Sequence, residues 1–426
     1  MNGLVDTRAL RMYGKQDLRL EKFALPAMQE NEILAKVITD GVCMSTYKTV
    51  LQGSEHRRVP DDIAQHPVIV GHEFCGEILA VGAKWQEKFQ PGMKFAIQPT
   101  LNYQGSPFGP GYSYRYIGGN ATYIVIPNEV MLQDCLLPYH GQAYYKGSLA
   151  EPLSSIVAAC KASYHTVGGS YAHEMGIKNR GDMIILNGSG PMGFLAVAYA
   201  MAAARKPELL VVTGTSEEKL ARAEKYNPVA KAAQYGITLR YVNTKDVGDQ
   251  KEYLLNLTDG RGYDDVFVYA PLKASAELGS DLLAQDGCLN FFAGPTDKNF
   301  KAELNYYQVH YAANHIVGTS GGYPEDMRDA LALIEERRID PSIIVTHIGG
   351  LNSARDTILN LPSIGGGKKL IYSQIELDLT PVEKLGELGK NNPLFRELAN
   401  IVEANRGLWC YEAEQYLLRH APGIEK

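Results

Sequence analysis

The 426-residue sequence has no run of about 20 apolar residues, which a membrane-spanning helix would require. It also lacks a basic excess, because 42 lysines and arginines face 48 aspartates and glutamates and leave a net charge of −6. Nucleic-acid binding usually needs a positively charged face. No secretory signal pattern opens the sequence. We therefore expect a soluble, cytoplasmic protein with neither a membrane nor a nucleic acid as partner.

Cysteine is also scarce, and the six cysteines lie far apart with no Cys-x-x-Cys pair. This spacing does not indicate a disulfide framework. The chain is long enough for two or three domains, each with an ordinary hydrophobic core.

The hydrophobic pattern changes along the chain. Alternating runs such as Thr7–Met12 and Glu32–Thr39 predict strands in the first third, whereas residues 101–119, rich in Gly, Tyr and Pro, predict a long surface loop. A helix is expected over Pro152–Tyr164. Beyond Arg180, strands alternate with amphipathic helices, which predicts a parallel sheet covered on both faces. Its predicted strands are Met183–Leu186, Leu209–Thr213, Asp265–Tyr269, Cys288–Phe292 and His315–Gly318.

The last hundred or so residues return to a mixed pattern. One helix is predicted over Glu325–Arg337, and strands are predicted over Ile343–Ile348 and Lys369–Ile375. The polar, helix-prone stretch 381–426 is interpreted as a helical cap or an oligomer contact.

A glycine-rich loop follows the first strand of the parallel sheet. The motif Gly188-x-Gly190-x-x-Gly193 leads into a long apolar helix. Its glycines suit a tight turn, the approach of a pyrophosphate and close helix–strand packing, and Pro191 and Met192 lie between them. The helix N-terminus favours phosphate binding. We predict a dinucleotide site here.

The end of the next strand bears on the choice of cofactor. An acid that would bind the ribose hydroxyl of NAD is expected there, but the sequence has Gly214 instead. This favours NADP, with NAD still possible. The residues predicted to bind the ribose or its phosphate are Gly214, Thr215, Ser216 and Lys219. Alternatively, the acid's role is taken by Glu217 or Glu218.

A metal site is predicted from four side chains. Cys43, His72, Glu73 and Glu151 are ligand types that catalytic zinc uses, with three protein ligands and one open position. Because two carboxylates would give the cluster a net negative charge, we hypothesise that Glu73 and Glu151 alternate as ligands. Each residue alone has an ordinary structural explanation, so their combination is what carries the prediction.

Together these motifs resemble the zinc-containing medium-chain dehydrogenase/reductase family over about residues 5–375. The resemblance rests on Cys43-x-Ser45, Gly71-His72-Glu73, Glu151-Pro152 and the glycine-rich loop, which occur in family order. The Glu-Pro pair is similar to the polyol branch, whereas the alcohol dehydrogenase branch has a cysteine there. The family fold implies an α/β protein with a GroES-like β-rich catalytic domain and a Rossmann doubly wound parallel-sheet domain.

The resemblance also implies domain boundaries and an assembly. The catalytic domain would comprise residues 1–157 and 319–380, the Rossmann domain residues 158–318, and the helical extension residues 381–426. Family members form dimers or tetramers, so a homo-oligomer is expected. Many members carry a second, four-cysteine zinc lobe, but residues 98–123 contain no cysteine, so a single catalytic zinc is predicted.

Longer stretches resemble a branch of the family that reduces ketose 1-phosphates to hexitol phosphates. They include GPGYSYRYIGGNATYIVIPNEV, DGCLNFFAGPTDKNF, VTHIGGLNSA and LPSIGGGKKLIY. The predicted function is therefore zinc-dependent, NAD(P)H-linked reduction of a ketose phosphate. One alternative is oxidation of an unphosphorylated polyol or secondary alcohol, and another is a non-catalytic, cofactor-binding scaffold.

Catalytic and phosphate-binding roles follow from this interpretation. Ser45 is predicted to relay a proton to the product alkoxide, with Lys48 completing the relay or holding a phosphate, and Glu73 beside the metal. Basic residues cluster between the Cys and His-Glu motifs, where a sugar phosphate would need cations: Lys48, His56, Arg57 and Arg58. The alternative is an ordinary solvated basic loop.

Overall fold

A computed structural model of the chain describes residues 5–424. The ends of the predicted first domain and of the extension, residues 1–4 and 425–426, lie outside the described residues. The chain divides into two compact units, one formed by residues up to Glu151 and from Tyr323 onwards, the other by Pro152–Gly322. None of the helices within residues 5–424 has the length and hydrophobicity needed to cross a membrane.

Both units combine short strands with helices. In chain order, the strands are β1 (Asp6–Gly14), β2 (Asp17–Ala24), β3 (Ile33–Val42), β4 (Val68–Ile69), β5 (Phe74–Val81), β6 (Lys94–Ile97), β7 (Tyr123–Ile126), β8 (Leu136–Pro138), β9 (Tyr164–Thr166), β10 (His173–Met175), β11 (Asp182–Leu186), β12 (Leu209–Gly214), β13 (Thr238–Asn243), β14 (Tyr263–Val268), β15 (Leu283–Phe291), β16 (His315–Gly318), β17 (Val345–Gly350), β18 (Lys368–Tyr372) and β19 (Thr380–Pro381). The α-helices are α1 (Met44–Gln52), α2 (Asn128–Leu132), α3 (Tyr144–Ser148), α4 (Ala150–Ala162), α5 (Pro191–Ala202), α6 (Glu217–Tyr226), α7 (Val229–Gln234), α8 (Gln250–Asn256), α9 (Lys273–Asp281), α10 (Tyr306–Tyr311), α11 (Pro324–Glu335), α12 (Ala354–Leu359), α13 (Leu385–Leu388), α14 (Pro393–Ala404) and α15 (Tyr411–His420).

The first unit is built around a largely antiparallel sheet. Its strands follow the order β19-β17-β18-β3-β5-β6-β8, with β7 also paired to β3, and only β17 and β18 run parallel. A smaller antiparallel sheet has the order β2-β1-β4. Pairing of β18 with β3 brings the late part of the chain beside its beginning, and one hydrophobic core contains side chains from both. The two chain segments therefore fold as one unit.

The second unit is a doubly wound parallel sheet. Its six strands follow the order β13-β12-β11-β14-β15-β16, and every pair in it is parallel. Strand order reverses at β11, which is where such folds bind dinucleotides. The strands β11, β12 and β14 are buried along their whole length, because helices cover both faces of such a sheet. The predicted combination of a β-rich domain and a Rossmann domain is confirmed.

The predicted elements correspond closely to the observed ones. All five predicted strands of the parallel sheet coincide with β11, β12, β14, β15 and β16, with ends shifted by a few residues. The prediction for residues 101–119 was wrong in one respect: the segment has little regular structure, but several of its residues are buried, including Leu101 and Tyr112. The glycines and tyrosines of this segment are therefore consistent with close packing and not with an exposed loop.

The stretch predicted as a helical extension contains α13, α14 and α15, and it belongs to the first unit. Trp409 is completely buried and donates a hydrogen bond from its indole N–H to the hydroxyl of Tyr372, 2.7 Å away. The buried Glu414 carboxylate accepts the backbone N–H groups of Tyr144 and Tyr145 at 2.7 and 2.9 Å. The two hydrogen bonds to Glu414 fix the start of α3, and α3 is followed in the chain by Glu151.

Candidate functional sites

Three of the four predicted metal ligands come together in the first unit. One ligand atom each from Cys43, His72 and Glu73 lies within 4.8 Å of the others. His72 and Glu73 are buried, and the Oε2 atom of Glu73 has no hydrogen-bond partner. A buried carboxylate oxygen without a partner is costly unless a cation satisfies it. The donor set of thiolate, imidazole and carboxylate suits zinc.

Cys43 is positioned by the junction between β3 and α1. It forms the N-cap of α1, and its Sγ atom accepts the backbone N–H of Ser45 at 3.4 Å. Burial raises the pKa of the Cys43 thiol, and the negative charge of Glu73 raises it further. A metal cation would offset both effects because it stabilises the thiolate.

His72 is oriented by two neighbours. Its Nδ1 atom shares a hydrogen bond of 3.1 Å with the buried hydroxyl of Thr46, so Nε2 remains as the metal-ligand atom. One face stacks on the Tyr112 ring, with centroids 4.6 Å apart. Burial lowers the pKa of His72, against the opposing effect of Glu151 and Glu73. Burial therefore favours the neutral imidazole, which is the form that binds a metal.

A buried polar network holds the turn that carries His72 and Glu73. The Asp40 carboxylate accepts the Glu73 backbone N–H at 3.2 Å and the Asn120 side-chain amide at 2.9 Å. Gly71 has a φ of +98°, and a Cβ atom there would lie 2.5 Å from the Asp40 carboxylate. Burial raises the pKa of Asp40 well above its usual range, and Glu73 raises it further. The turn therefore requires glycine and a buried acceptor beside it.

Glu73 also forms a buried ion pair. The Nζ atom of Lys368, on β18, donates to Glu73 Oε1 at 2.6 Å, and both side chains are nearly inaccessible to solvent. Although burial disfavours its charge, the carboxylate of Glu73 raises the pKa of Lys368. Lys368 thus neutralises one carboxylate beside the predicted metal and leaves the other oxygen of Glu73 available to a cation.

Glu151, the fourth predicted ligand, lies in the first turn of α4 and is buried. It is not one of the three residues whose ligand atoms lie within 4.8 Å. It is nevertheless close enough to interact electrostatically with them. Burial raises the pKa of Glu151 to about 8, with His72 acting in the opposite direction. The ligand alternation between Glu73 and Glu151 stays a prediction.

The predicted relay and phosphate residues differ in their burial and in their contacts. Ser45 is exposed in the first turn of α1, and its carbonyl accepts the Thr49 hydroxyl at 2.9 Å. Lys48 is half-buried, and burial lowers its pKa while the nearby Cys43 opposes that shift. The guanidinium of Arg58 lies 4.9 Å from the centre of the Tyr112 ring, whereas Arg57 is exposed.

The glycine-rich loop of the second unit joins β11 to α5. Gly190 is the N-cap of α5 and Pro191 is its first residue, a position where proline is favoured. A Cβ atom at Gly193 would lie 1.8 Å from the Gly188 carbonyl oxygen, whereas one at Gly190 would meet nothing within 4 Å. The helix and strand therefore require Gly193, and Gly190 leaves space in front of the helix N-terminus. This arrangement fits a dinucleotide pyrophosphate.

The predicted ribose-binding residues follow β12. Ser216 is the N-cap of α6, and its hydroxyl accepts the backbone N–H of Lys219 at 3.4 Å. A Cβ atom at Gly214 would lie 2.6 Å from the Ser189 hydroxyl oxygen, so packing against the glycine-rich loop also accounts for this glycine. Thr215, Glu217, Glu218 and Lys219 are exposed.

Four site residues were missed by the sequence analysis: Asp40, Thr46, Tyr112 and Lys368. Asp40 lies three residues before Cys43, and an acidic residue inside a mainly apolar strand was the available signal. Lys368 is separated from Glu73 by most of the chain, so nothing local to either residue indicates their pairing.

Comparison with known proteins agrees with this geometry. Residues 29–137 match the family described as alcohol dehydrogenase GroES-like domain, and residues 191–336 match the family described as zinc-binding dehydrogenase. The chain is 52% identical to an L-sorbose 1-phosphate reductase from Klebsiella pneumoniae, over 98% of each chain. It is 47% identical to a mannitol-1-phosphate 5-dehydrogenase from Aliivibrio fischeri, over 97% of this chain and 98% of that protein.

Solved structures show the same fold. A zinc-binding dehydrogenase from Sinorhizobium meliloti, solved with NADP, has a TM-score of 0.70 and 20% identity, and the match covers 87% of this chain and 100% of that one. The 2R,3R-butanediol dehydrogenase of Bacillus subtilis has a TM-score of 0.69 and 19% identity, covering 86% and 99%. The chain belongs to the zinc-containing medium-chain dehydrogenase/reductase family. It is an oxidoreductase that acts on CH–OH groups with zinc and a nicotinamide cofactor.

Proposed function

We propose that this protein reduces a ketose phosphate to a hexitol phosphate, with one catalytic zinc per chain and NADPH as the preferred hydride donor. The cluster of Cys43, His72 and Glu73 carries the proposal, because a thiol and a buried imidazole lie beside a buried carboxylate oxygen that lacks a partner and that a cation would satisfy. The same cluster disfavours a non-catalytic scaffold. The names of the two relatives, both at least 47% identical, supply the sugar-phosphate substrate class.

In this proposal the first unit holds the metal and the second unit, with residues 158–318 at its centre, binds the nucleotide. Cys43 and His72 are permanent ligands, and Glu73 and Glu151 share the remaining role. Zinc, when bound, polarises the substrate carbonyl and stabilises the developing negative charge on its oxygen. Lys368 pairs with Glu73, which limits how much negative charge the cluster presents to the substrate.

Reduction of a carbonyl also requires a proton. The hydroxyl of Ser45, exposed at the N-terminus of α1 beside Cys43, is the proposed donor to the product oxygen. Lys48 lies on the same helix, and its burial favours release of its proton, so it can restore the proton on Ser45. Replacing Ser45 by Ala should lower kcat by about 100-fold with little change in zinc content. Unchanged kcat in this variant would exclude the relay.

The preference for NADPH over NADH is proposed from the residues at the end of β12. No carboxylate stands at Gly214, and Lys219 is exposed nearby, so the 2′-phosphate of NADP meets no acid at that position. The experiment compares kcat/KM for NADPH and NADH. A higher value with NADH would reject the preference and would favour Glu217 or Glu218 as the ribose ligand.

The function itself is tested by activity on matched substrates. Purified protein should oxidise NADPH with L-sorbose 1-phosphate at a kcat/KM well above that measured with L-sorbose. Oxidation of sorbitol without turnover of any phosphorylated sugar would instead support the second candidate, an unphosphorylated polyol dehydrogenase. Light scattering of the same sample tests the proposed dimer or tetramer.

A further inference from the structure

The two relatives place the phosphate differently relative to the reacting carbon. In L-sorbose 1-phosphate the phosphate is on the carbon next to the C2 carbonyl, whereas a mannitol-1-phosphate 5-dehydrogenase reacts four carbons away from the phosphate. Four bonds separate the carbonyl oxygen from phosphorus in the first case and seven in the second. The position of a phosphate-binding cation relative to the metal ligands therefore bears on the substrate of this chain.

Arg58 is one of the cations that the fold places near the metal site, besides Lys368 and Lys48. Its guanidinium carbon lies 4.9 Å from the centre of the Tyr112 ring. The same ring stacks on His72 with centroids 4.6 Å apart. One aromatic ring thus links the guanidinium to a metal-binding imidazole, and Tyr112 is only 2% exposed, which keeps this link rigid.

The backbone around Arg58 is anchored to the segment that carries Tyr112. The Ser113 hydroxyl donates to the Arg58 carbonyl oxygen at 2.5 Å and accepts the Gly109 N–H at 3.1 Å. Gly111 has a φ of +76°, and a Cβ atom there would lie 2.0 Å from the Gly71 carbonyl oxygen, so this segment presses directly on the turn before His72. Arg58 is therefore held in place from its main chain as well as from its side chain.

The guanidinium of Arg58 contacts an aromatic ring and not a described carboxylate. Within the part of the chain that the structure describes, no carboxylate forms an ion pair with its guanidinium, and the side chain is half-buried. Another cation beside the cluster, Lys368, is already paired with Glu73. A substrate phosphate near the cluster would therefore find in Arg58 a cation that no described carboxylate neutralises.

We propose that Arg58, and not Arg57, binds the substrate phosphate, and that it selects a phosphate on the carbon next to the carbonyl. The inference rests on the proposed function. Arg suits the role because its planar guanidinium donates two parallel hydrogen bonds to phosphate oxygens. A phosphate four bonds from the carbonyl oxygen stays closer to the residues that would hold the metal than one seven bonds away in an extended sugar, and Arg58 lies one aromatic ring from His72.

The test compares Arg58→Ala and Arg58→Lys with the wild type, using calorimetric binding to the zinc-loaded chain without nicotinamide cofactor, and then steady-state kinetics. The ligands are L-sorbose 1-phosphate, D-fructose 6-phosphate and L-sorbose. Arg58→Ala should weaken binding of L-sorbose 1-phosphate about 10- to 100-fold and leave L-sorbose unchanged. Lysine should restore part of the affinity, because it supplies the charge without the planar fork. D-fructose 6-phosphate should lose less than about threefold.

Arg57→Ala is the matched control. It removes a neighbouring, exposed guanidinium and should leave all three affinities within about twofold. Equal losses for Arg57→Ala and Arg58→Ala, or an equal loss for L-sorbose, would overturn the phosphate assignment. A loss for D-fructose 6-phosphate as large as that for L-sorbose 1-phosphate would overturn the positional assignment. Wild-type protein that binds neither phosphate would instead overturn the proposed function, and this inference with it.

Discussion

The metal cluster and the glycine-rich loop are built in opposite ways. The loop is local, because strand, glycines and helix follow one another within residues 182–202, and its geometry depends on contacts between near neighbours such as Gly188 and Gly193. The metal cluster is assembled from distant segments, and Glu73 pairs with a buried lysine almost 300 positions later. The glycine-rich loop is therefore specified by backbone conformation, and the metal cluster is specified by electrostatic pairing.

This difference predicts different kinds of failure. Substitutions in the loop should destabilise the protein through steric clashes. Substitutions near the cluster should act by leaving a buried charge unpaired or by removing a hydrogen bond.

Lys368→Met should be the most damaging change. It leaves the Glu73 carboxylate buried without its partner, and breaking a buried ion pair in this way costs roughly 3–5 kcal/mol of unfolding free energy. Urea unfolding of the zinc-free protein measures the loss. The double variant Glu73→Gln, Lys368→Met should recover a large part of it, because no buried charge remains. If the double variant is as unstable as the single one, packing and not charge explains the effect.

Gly193→Ala should come next, with a loss of about 1–3 kcal/mol, because its methyl group would collide with the Gly188 carbonyl oxygen. Gly190→Ala is its control and should leave stability nearly unchanged, since a methyl group there meets only open space. It should nevertheless weaken NADPH binding, measured by fluorescence titration, because that space is the proposed approach of the pyrophosphate. A stable Gly193→Ala protein with normal NADPH affinity would contradict the steric account of this loop.

The same contrast explains what the sequence could and could not predict. The parallel sheet and the loop were predictable, because each lies in a short pattern with a local physical reason, and the meeting of Cys43, His72 and Glu73 was predictable from their combination in family order. The pairing of Lys368 with Glu73 and the stacking of Tyr112 on His72 were not, because they join segments that only the folded sheet brings together. Residues 101–119 were mistaken for a surface loop because they lack periodicity, although Tyr112 is buried against the site.

Thr46→Val should have the smallest effect on folding and a specific effect on the metal. Losing the hydrogen bond to His72 Nδ1 should cost about 1 kcal/mol of stability and lower zinc affinity about 10- to 100-fold. Competition with a zinc chelator measures the affinity. Thr49→Val, which removes another buried hydroxyl from the same helix, should affect stability to a similar degree and leave zinc affinity unchanged. Equal zinc affinities in the two variants would show that Thr46 does not orient the ligand.

The most direct test of the metal cluster is X-ray absorption at the zinc edge of the purified protein. We predict a single sulfur ligand at about 2.3 Å, with nitrogen and oxygen completing the shell, and loss of the sulfur signal in Cys43→Ser. A zinc shell without sulfur in the wild type, or one that keeps its sulfur in Cys43→Ser, would contradict the assignment.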